Sequence, residues 1–192
     1  MKRQNFFVLL GALLSFNSSF SSAQTNSTAQ SQWQVIAPNA TYLTGDTWQE
    51  GEETYRLYGV QSCLRDTFIV NEHQVKRDCG EVSMTMLAAL NKDLSFLCAT
   101  VAKVENTHMH YVVCSASIRS GDGTTKIDLG TALITTGFAF ASLNLKGEPV
   151  HMPYLVTQVN AQNAHVGLWR YANVPDPNTI ILDALKKAQA QQ

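Results

Sequence analysis

The sequence predicts an α+β fold in which strands dominate: a small five-stranded barrel of the OB type with two to three helices packed on it. Three observations lead there. Short runs rich in β-branched and aromatic residues follow one another, separated by Gly, Asn and Asp. One amphipathic run of helical period sits between the third and fourth of them. The remaining helical runs come after the long strands, so the order reads β-β-β-α-β-β-α-α with a few short extra pieces.

The elements follow in chain order. Residues 1–23 are set aside as a secretory signal peptide. Lys2 and Arg3 open it, Phe6 to Leu14 is apolar, and Ser21-Ser22-Ala23 offers small residues for cleavage after Ala23. That apolar run is too short for a comfortable membrane anchor, and no second stretch is long enough to span. Residues 24–32, QTNSTAQSQ, form a polar leader expected to be disordered. The folded domain is expected over 33–172, and 173–192 as a tail or last helix. Trp33 to Ala37 reads as a strand ended by Pro38-Asn39. Tyr42 to Trp48 and Glu53 to Val60 read as a hairpin around Glu50-Gly51-Glu52.

Cys79 to Leu90 carries Val82, Met86, Leu87 and Leu90 at helical spacing. Leu94 to Lys103 and Tyr111 to Ile118 form a second hairpin across Glu105-Asn106-Thr107, and the SGDGT stretch from Ser120 is a turn. Asp128 is a candidate N-cap and Gly137 a C-terminal stop for a short helix. Phe138 to Ser142 reads as a strand and Pro153 to His165 as a helix. Thr179 to Gln189, after the breaker Val174-Pro-Asp-Pro-Asn, reads as a last helix. Trp33, Trp48 and Trp169 are read as core or rim aromatics.

Removing Lys2 and Arg3, with no acidic residue in the signal segment, takes the formal net charge from −1 to −3. A mildly acidic chain without a basic cluster is a poor non-specific binder of duplex DNA, which is held through clustered Lys and Arg. Cys63, Cys79, Cys98 and Cys114 all follow the signal, and an exported chain with an even count is expected to form two disulfides. The long spacings contain no CxxC, which argues against zinc. Three pairings are open. The local one, Cys63–Cys79 with Cys98–Cys114, is preferred: it clips a loop to a helix start and joins two neighbouring strands. Each bridge would contribute roughly 3 kcal/mol through chain entropy.

Gly45-Asp46-Thr47 followed by Arg56-Leu57-Tyr58-Gly59-Val60 resembles the "GDT … RL.GI" signature of staphylococcal-nuclease-like (thermonuclease) domains. Cys79-Gly80, Cys98 and Cys114 are similar to the cysteines of the exported bacterial branch. Leu133 to Ala139 is similar to the family's "LV..G.A" segment, and Tyr154, Ala161, Ala164 and Gly167-Leu168-Trp169 fit its closing motif. The match spans about residues 41–170. The resemblance implies an OB barrel that cleaves phosphodiesters. Calcium is held by two Asp, a Glu positions water and two Arg clamp the phosphate, since a hard cation takes oxygen ligands and a charge-gaining phosphoryl group takes guanidinium forks.

Carried over position by position, Asp46 matches the first metal-binding Asp and Arg56 the first Arg. The family's D-A-P-E motif falls on Gln61-Ser62-Cys63-Leu64, so Gln61 replaces the second Asp and Leu64 the Glu. Where the second Arg would follow a "D.YGR" turn, the chain has Met109 or His110. Loss of a general base costs about 10²–10⁴ in rate, and loss of a charge-stabilising donor about 10²–10³. Asp46 has a plain alternative role in tying its own turn, and Arg56 one as its ion-pair partner. Asp66 is a possible substitute acid. His108 and His110, at i and i+2 on a strand edge, could form half of a transition-metal site.

The expectation is therefore an exported, secreted or periplasmic, catalytically degenerate domain that acts as a binding or accessory module. Some members of the family are encoded among exopolysaccharide (succinoglycan) biosynthesis genes, which makes a role in exopolysaccharide production a concrete version. Its ligand would be a glycan, a nucleotide or a protein; no cofactor is certain, and calcium enters only if the site is active. The alternative is a calcium-dependent nuclease or phosphodiesterase rebuilt around Asp46, Arg56 and Asp66.

Overall fold

The computed structural model describes residues 33–191 other than Asp122. The signal peptide expected over residues 1–23 and the leader expected over 24–32 lie outside the described residues. The chain is α+β and mainly strands. In order come β1 (Gln34–Val35), β2 (Thr41–Thr44), β3 (Thr47–Glu50), β4 (Glu53–Leu57), β5 (Val60–Ser62), β6 (Phe68–Val70), β7 (Lys76–Asp78) and α1 (Cys79–Leu94). Then follow β8 (Leu97–Lys103), β9 (Met109–Ser120), β10 (Gly123–Asp128), α2 (Leu129–Thr135), β11 (Ala139–Ala141), α3 (Met152–Asn163), a 3-10 turn at Gly167–Arg170 and α4 (Pro177–Gln189).

The main sheet runs β1-β8-β9-β4-β3-β2, with β10 also paired to the long β9. All its pairings are antiparallel except β4 with β9, which run parallel with Arg56 opposite Tyr111. The two ends of this path, β1 and β2, belong to one short stretch, residues 34–44, so the sheet is drawn round into a half-barrel. β5 pairs with β11, and β6 with β7, outside this sheet.

The strand count departs from five for local reasons. The predicted run Tyr42 to Trp48 is cut by Gly45-Asp46, which turns the chain so that Thr44 faces Thr47. A Cβ on Gly45 would meet Ser83 of α1 at 2.5 Å, so only glycine lets this turn pack on the helix. The run Glu53 to Val60 is cut at Gly59, whose φ of +74° ends β4 and starts β5. The β6–β7 hairpin and β10 have no counterpart in the sequence reading. The four helices lie where the sequence places helical runs, the last of them, α4, in the expected C-terminal tail or helix.

The helices form for reasons visible in their caps. Asp78 accepts from the Glu81 amide at 2.8 Å and starts α1, and Asp128 accepts from the Thr131 amide at 2.7 Å and starts α2. Asp176 accepts from the Asn178 amide at 2.9 Å and starts α4. The main core gathers Trp48, Leu57, Leu87, Phe96, Val112, Leu129 and Leu133 between the curled sheet, α1 and α2. Burying each large side chain contributes about 1.5–3 kcal/mol before entropy is counted. A second core joins Cys63, Ile69, Cys79, Phe140 and Leu168. Trp48 is core, whereas Trp33 is half exposed and Trp169 packs at the margin of the second core.

Cys63 pairs with Cys79 and Cys98 with Cys114. The first bridge ties the chain after β5 to the first residue of α1. The second links β8 and β9 at directly opposed residues. No free cysteine remains among the described residues, and no described helix is long and apolar enough to cross a membrane.

Candidate functional site

Asp46 sits in the turn between β2 and β3, and Arg56 projects from β4 where it pairs with Thr47. Asp46 is 2% exposed. Its Oδ1 accepts from the hydroxyls of Thr44 at 2.5 Å, Thr47 at 2.9 Å and Ser62 at 3.3 Å. Its Oδ2 accepts from the Ser62 amide at 3.1 Å and lies 3.2 Å from Arg56 Nη2. Both carboxylate oxygens are thus filled by protein donors.

Gln61 completes the arrangement. Its Oε1 accepts from Arg56 Nη2 at 2.7 Å, and its Nε2 donates to the Ser62 carbonyl at 3.0 Å. Here the amide does what a second carboxylate could do for Arg56, without adding a charge beside Asp46. β2, β3, β4 and β5 are thereby pinned together. Calcium needs six to eight oxygen ligands, usually with several carboxylates. Asp46 is the one carboxylate in this cluster, and its lone pairs are occupied. Among the described residues no group of three or more His, Cys, Asp or Glu is arranged to hold a metal.

The other sequence candidates lie apart from this cluster. Leu64 and Asp66 stand on the loop after Cys63. Asp66 is exposed, in the left-handed region with φ 62°, and its amide donates to Asp78 Oδ2 at 2.8 Å. It therefore belongs to the helix-start tie of α1 and takes no part in the hydrogen bonds of Asp46. Met109 opens β9 opposite Thr54.

His108 and His110 do point the same way, but towards one carboxylate. His108 Nδ1 is 3.1 Å from Glu53 Oε1, and His110 Nε2 is 2.5 Å from Glu53 Oε2. Hydrogen bonds from His108 first and His110 second hold the Glu53 carboxyl below its ordinary pKa. His110 also packs at a tilt against Tyr55, centroids 5.1 Å apart, and Tyr55 stacks on Trp48 at 5.8 Å. The trio fastens the start of β9 to the start of β4.

Arg56 and Gln61 line a cleft of about 360 Å³ whose walls include Tyr58, Tyr111, Leu143 and Ile181. Ile181 comes from α4, which is anchored by Asn178: its Oδ1 accepts from the Leu143 amide at 3.1 Å and its Nδ2 donates to the Ala141 carbonyl at 3.0 Å. The sequence places Gln61 at this site, in the position of the second Asp, but not Tyr111 or α4. One signal was present: the hydroxyls of Thr44 and Thr47 flank Asp46 in TGDT, the pattern of a carboxylate that ties its own turn.

No family model and no curated protein matches the chain.

Proposed function

We propose that this chain is an exported, staphylococcal-nuclease-like OB barrel that has lost phosphodiester cleavage and works as a binding or accessory module, with a glycan as its ligand class. The observation that carries the loss of catalysis is the closed cluster around Asp46. Five protein donor contacts occupy a carboxylate that a nuclease would leave open to calcium, and Gln61 holds Arg56 in place of an acid. The barrel reading is supported by the strand order. With residues 34–44 counted as one strand and β10 set aside, the order is first, second, third, fifth, fourth and back to first, including a parallel third–fifth pair. Two disulfides fit an oxidising compartment outside the cytosol. The acidic balance favours an uncharged ligand over nucleic acid, and a role in exopolysaccharide production is one concrete setting.

The test is cleavage of single-stranded and duplex DNA by the oxidised chain from Gln24, with calcium and with chelator, beside Asp46→Ala. The expected result is no cleavage above the variant's background. Calcium-dependent cleavage that disappears in Asp46→Ala would overturn the reading and establish a rebuilt nuclease.

A further inference from the structure

Beyond the Asp46 cluster, a second cleft of about 690 Å³ opens between the Tyr58–Gly59 turn, β8, the start of α2 and the start of α3. Tyr58, which also lines the Arg56 cleft, forms the wall the two share. We propose that this second cleft binds a neutral saccharide; the proposal rests on the reading of the chain as a non-catalytic glycan-binding barrel and names the place where the glycan sits.

The lining carries the argument. It contains Tyr58, Val101, Asp128, Thr131, His151 and Tyr154, and no Lys or Arg. A phosphate or polyanion would find no permanent cation here, and it would meet the Asp128 carboxylate. Tyr58 is 41% and Val101 50% exposed, so the cleft presents apolar and aromatic surface to solvent. Sugar rings bury their C–H faces on such surface while their hydroxyls reach donors and acceptors at the rim.

The aromatic wall is built in advance. Gly59 has no Cβ to obstruct His151 and Tyr154, which would lie 3.1 and 3.4 Å from one. His151 packs edge-on against Tyr154 with centroids 4.5 Å apart. The Tyr154 hydroxyl donates to Asp128 Oδ1 at 2.7 Å, and Gly130 leaves it the room to do so. Burial first, and then the charge of Asp128, push that hydroxyl well above its ordinary pKa, so it stays a donor.

Asp128 selects between ligand classes. Its Oδ1 accepts from both Thr131 N and Tyr154, whereas Oδ2 accepts from no described protein group and is not among the buried unpaired atoms. One carboxylate oxygen therefore remains open as an acceptor. Its charge is already balanced in part by the N-terminus of α2, which it caps. That balance weakens the pull on an organic cation and leaves a strong acceptor for a sugar hydroxyl. Thr131 and Tyr58 supply hydroxyls of both senses.

The experiment is ligand-observed NMR and calorimetry on the oxidised chain from Gln24, with neutral hexasaccharides of glucose, galactose and mannose at millimolar concentration. Tyr58→Ala and Val101→Arg run alongside; both sites are exposed, and the arginine adds bulk and a positive charge to the lining. Tetramethylammonium serves as the cation probe. The expected result is binding of at least one hexasaccharide, weakened about tenfold or more by each variant. Three results would overturn the site. One is no binding by any hexasaccharide to a folded protein. Another is binding of tetramethylammonium alone. The last is hexasaccharide binding that both variants leave unchanged, which would keep the glycan-binding barrel and move its site elsewhere. Failure of the broader reading shows separately, as calcium-dependent DNA cleavage.

Discussion

Replacing Asp46 by Ala separates a structural carboxylate from a functional one. The substitution strands five donor contacts at once: three hydroxyls, the Ser62 amide and one guanidinium nitrogen. The hydroxyls can rotate to new partners. The Ser62 amide, in a residue 2% exposed, cannot, and an unpaired buried amide costs about 1–3 kcal/mol. Arg56 keeps Gln61 and is 30% exposed, so solvent softens the loss of its charge partner. Breaking a buried pair from one side costs roughly 3–5 kcal/mol. The partial exposure of Arg56 brings the expectation for Asp46→Ala to about 3–4 kcal/mol. Guanidinium denaturation of the oxidised wild type and variant, in calcium and in chelator, reads the difference as a shift in midpoint at constant slope. Functional acids held for catalysis behave otherwise, since their removal is often neutral or stabilising. A loss below about 1 kcal/mol, or a calcium-induced rise in Tm in the wild type but not the variant, would refute the argument.

Three further outcomes are expected. Gln61→Asp places a second carboxylate, nearly buried, against Asp46; it should lower stability by about 1–3 kcal/mol in chelator and recover part of that with calcium, an effect absent from the wild type in a thermal melt. Gly45→Ala forces a methyl to within 2.5 Å of the Ser83 side chain and 2.7 Å of its backbone, and should cost about 1–3 kcal/mol in denaturant titration, whereas Gly51→Ala, in open space at the next turn, should show only its positive-φ strain. Asp78 is pushed up by burial but drawn further down by the amides of Glu81 and Asp66, by Arg65 and by the Gly80 amide, for a net lowering. A lowered carboxyl stabilises the fold above its unfolded value near pH 3.9 and loses that contribution as pH falls through the folded value. Asp78→Ala should therefore cost about 1 kcal/mol at neutral pH and flatten the loss of stability below about pH 4, as measured by denaturation across pH.

The candidate site was legible in part. TGDT and the Arg ten residues on mark a carboxylate and a guanidinium that β pairing can bring together, and Thr47 does pair with Arg56. Gln61 was legible as the residue in the place of a second acid, but its hydrogen bonds to Arg56 and the Ser62 carbonyl were not, because it arrives on β5, outside the main sheet, after the Gly59 kink. The convergence of His108 and His110 on Glu53 was equally hidden. The two His lie at the start of β9, and the parallel register of β4 and β9 brings Glu53 beside them across more than fifty residues of chain. The β6–β7 hairpin went unread because Asn71 to Gln74 is polar and its strands are three residues each. Its stability comes from Ile69 in the second core rather than from its own pattern.

Local features could be read from the chain alone: the cap at Asp128, the break at Val174–Asn178, the amphipathic run of α1, the Gly turns and a preference for the short disulfide pairings that the structure forms. Each depends on neighbours within a few turns of chain, where spacing translates directly into geometry. Tertiary structure alone decided whether Asp46 faced a ligand or a lattice of hydroxyls, and which residues walled the clefts beside Arg56 and Tyr154. Those outcomes depend on strands from distant segments meeting in one register, and a buried carboxylate takes whatever donors that meeting supplies.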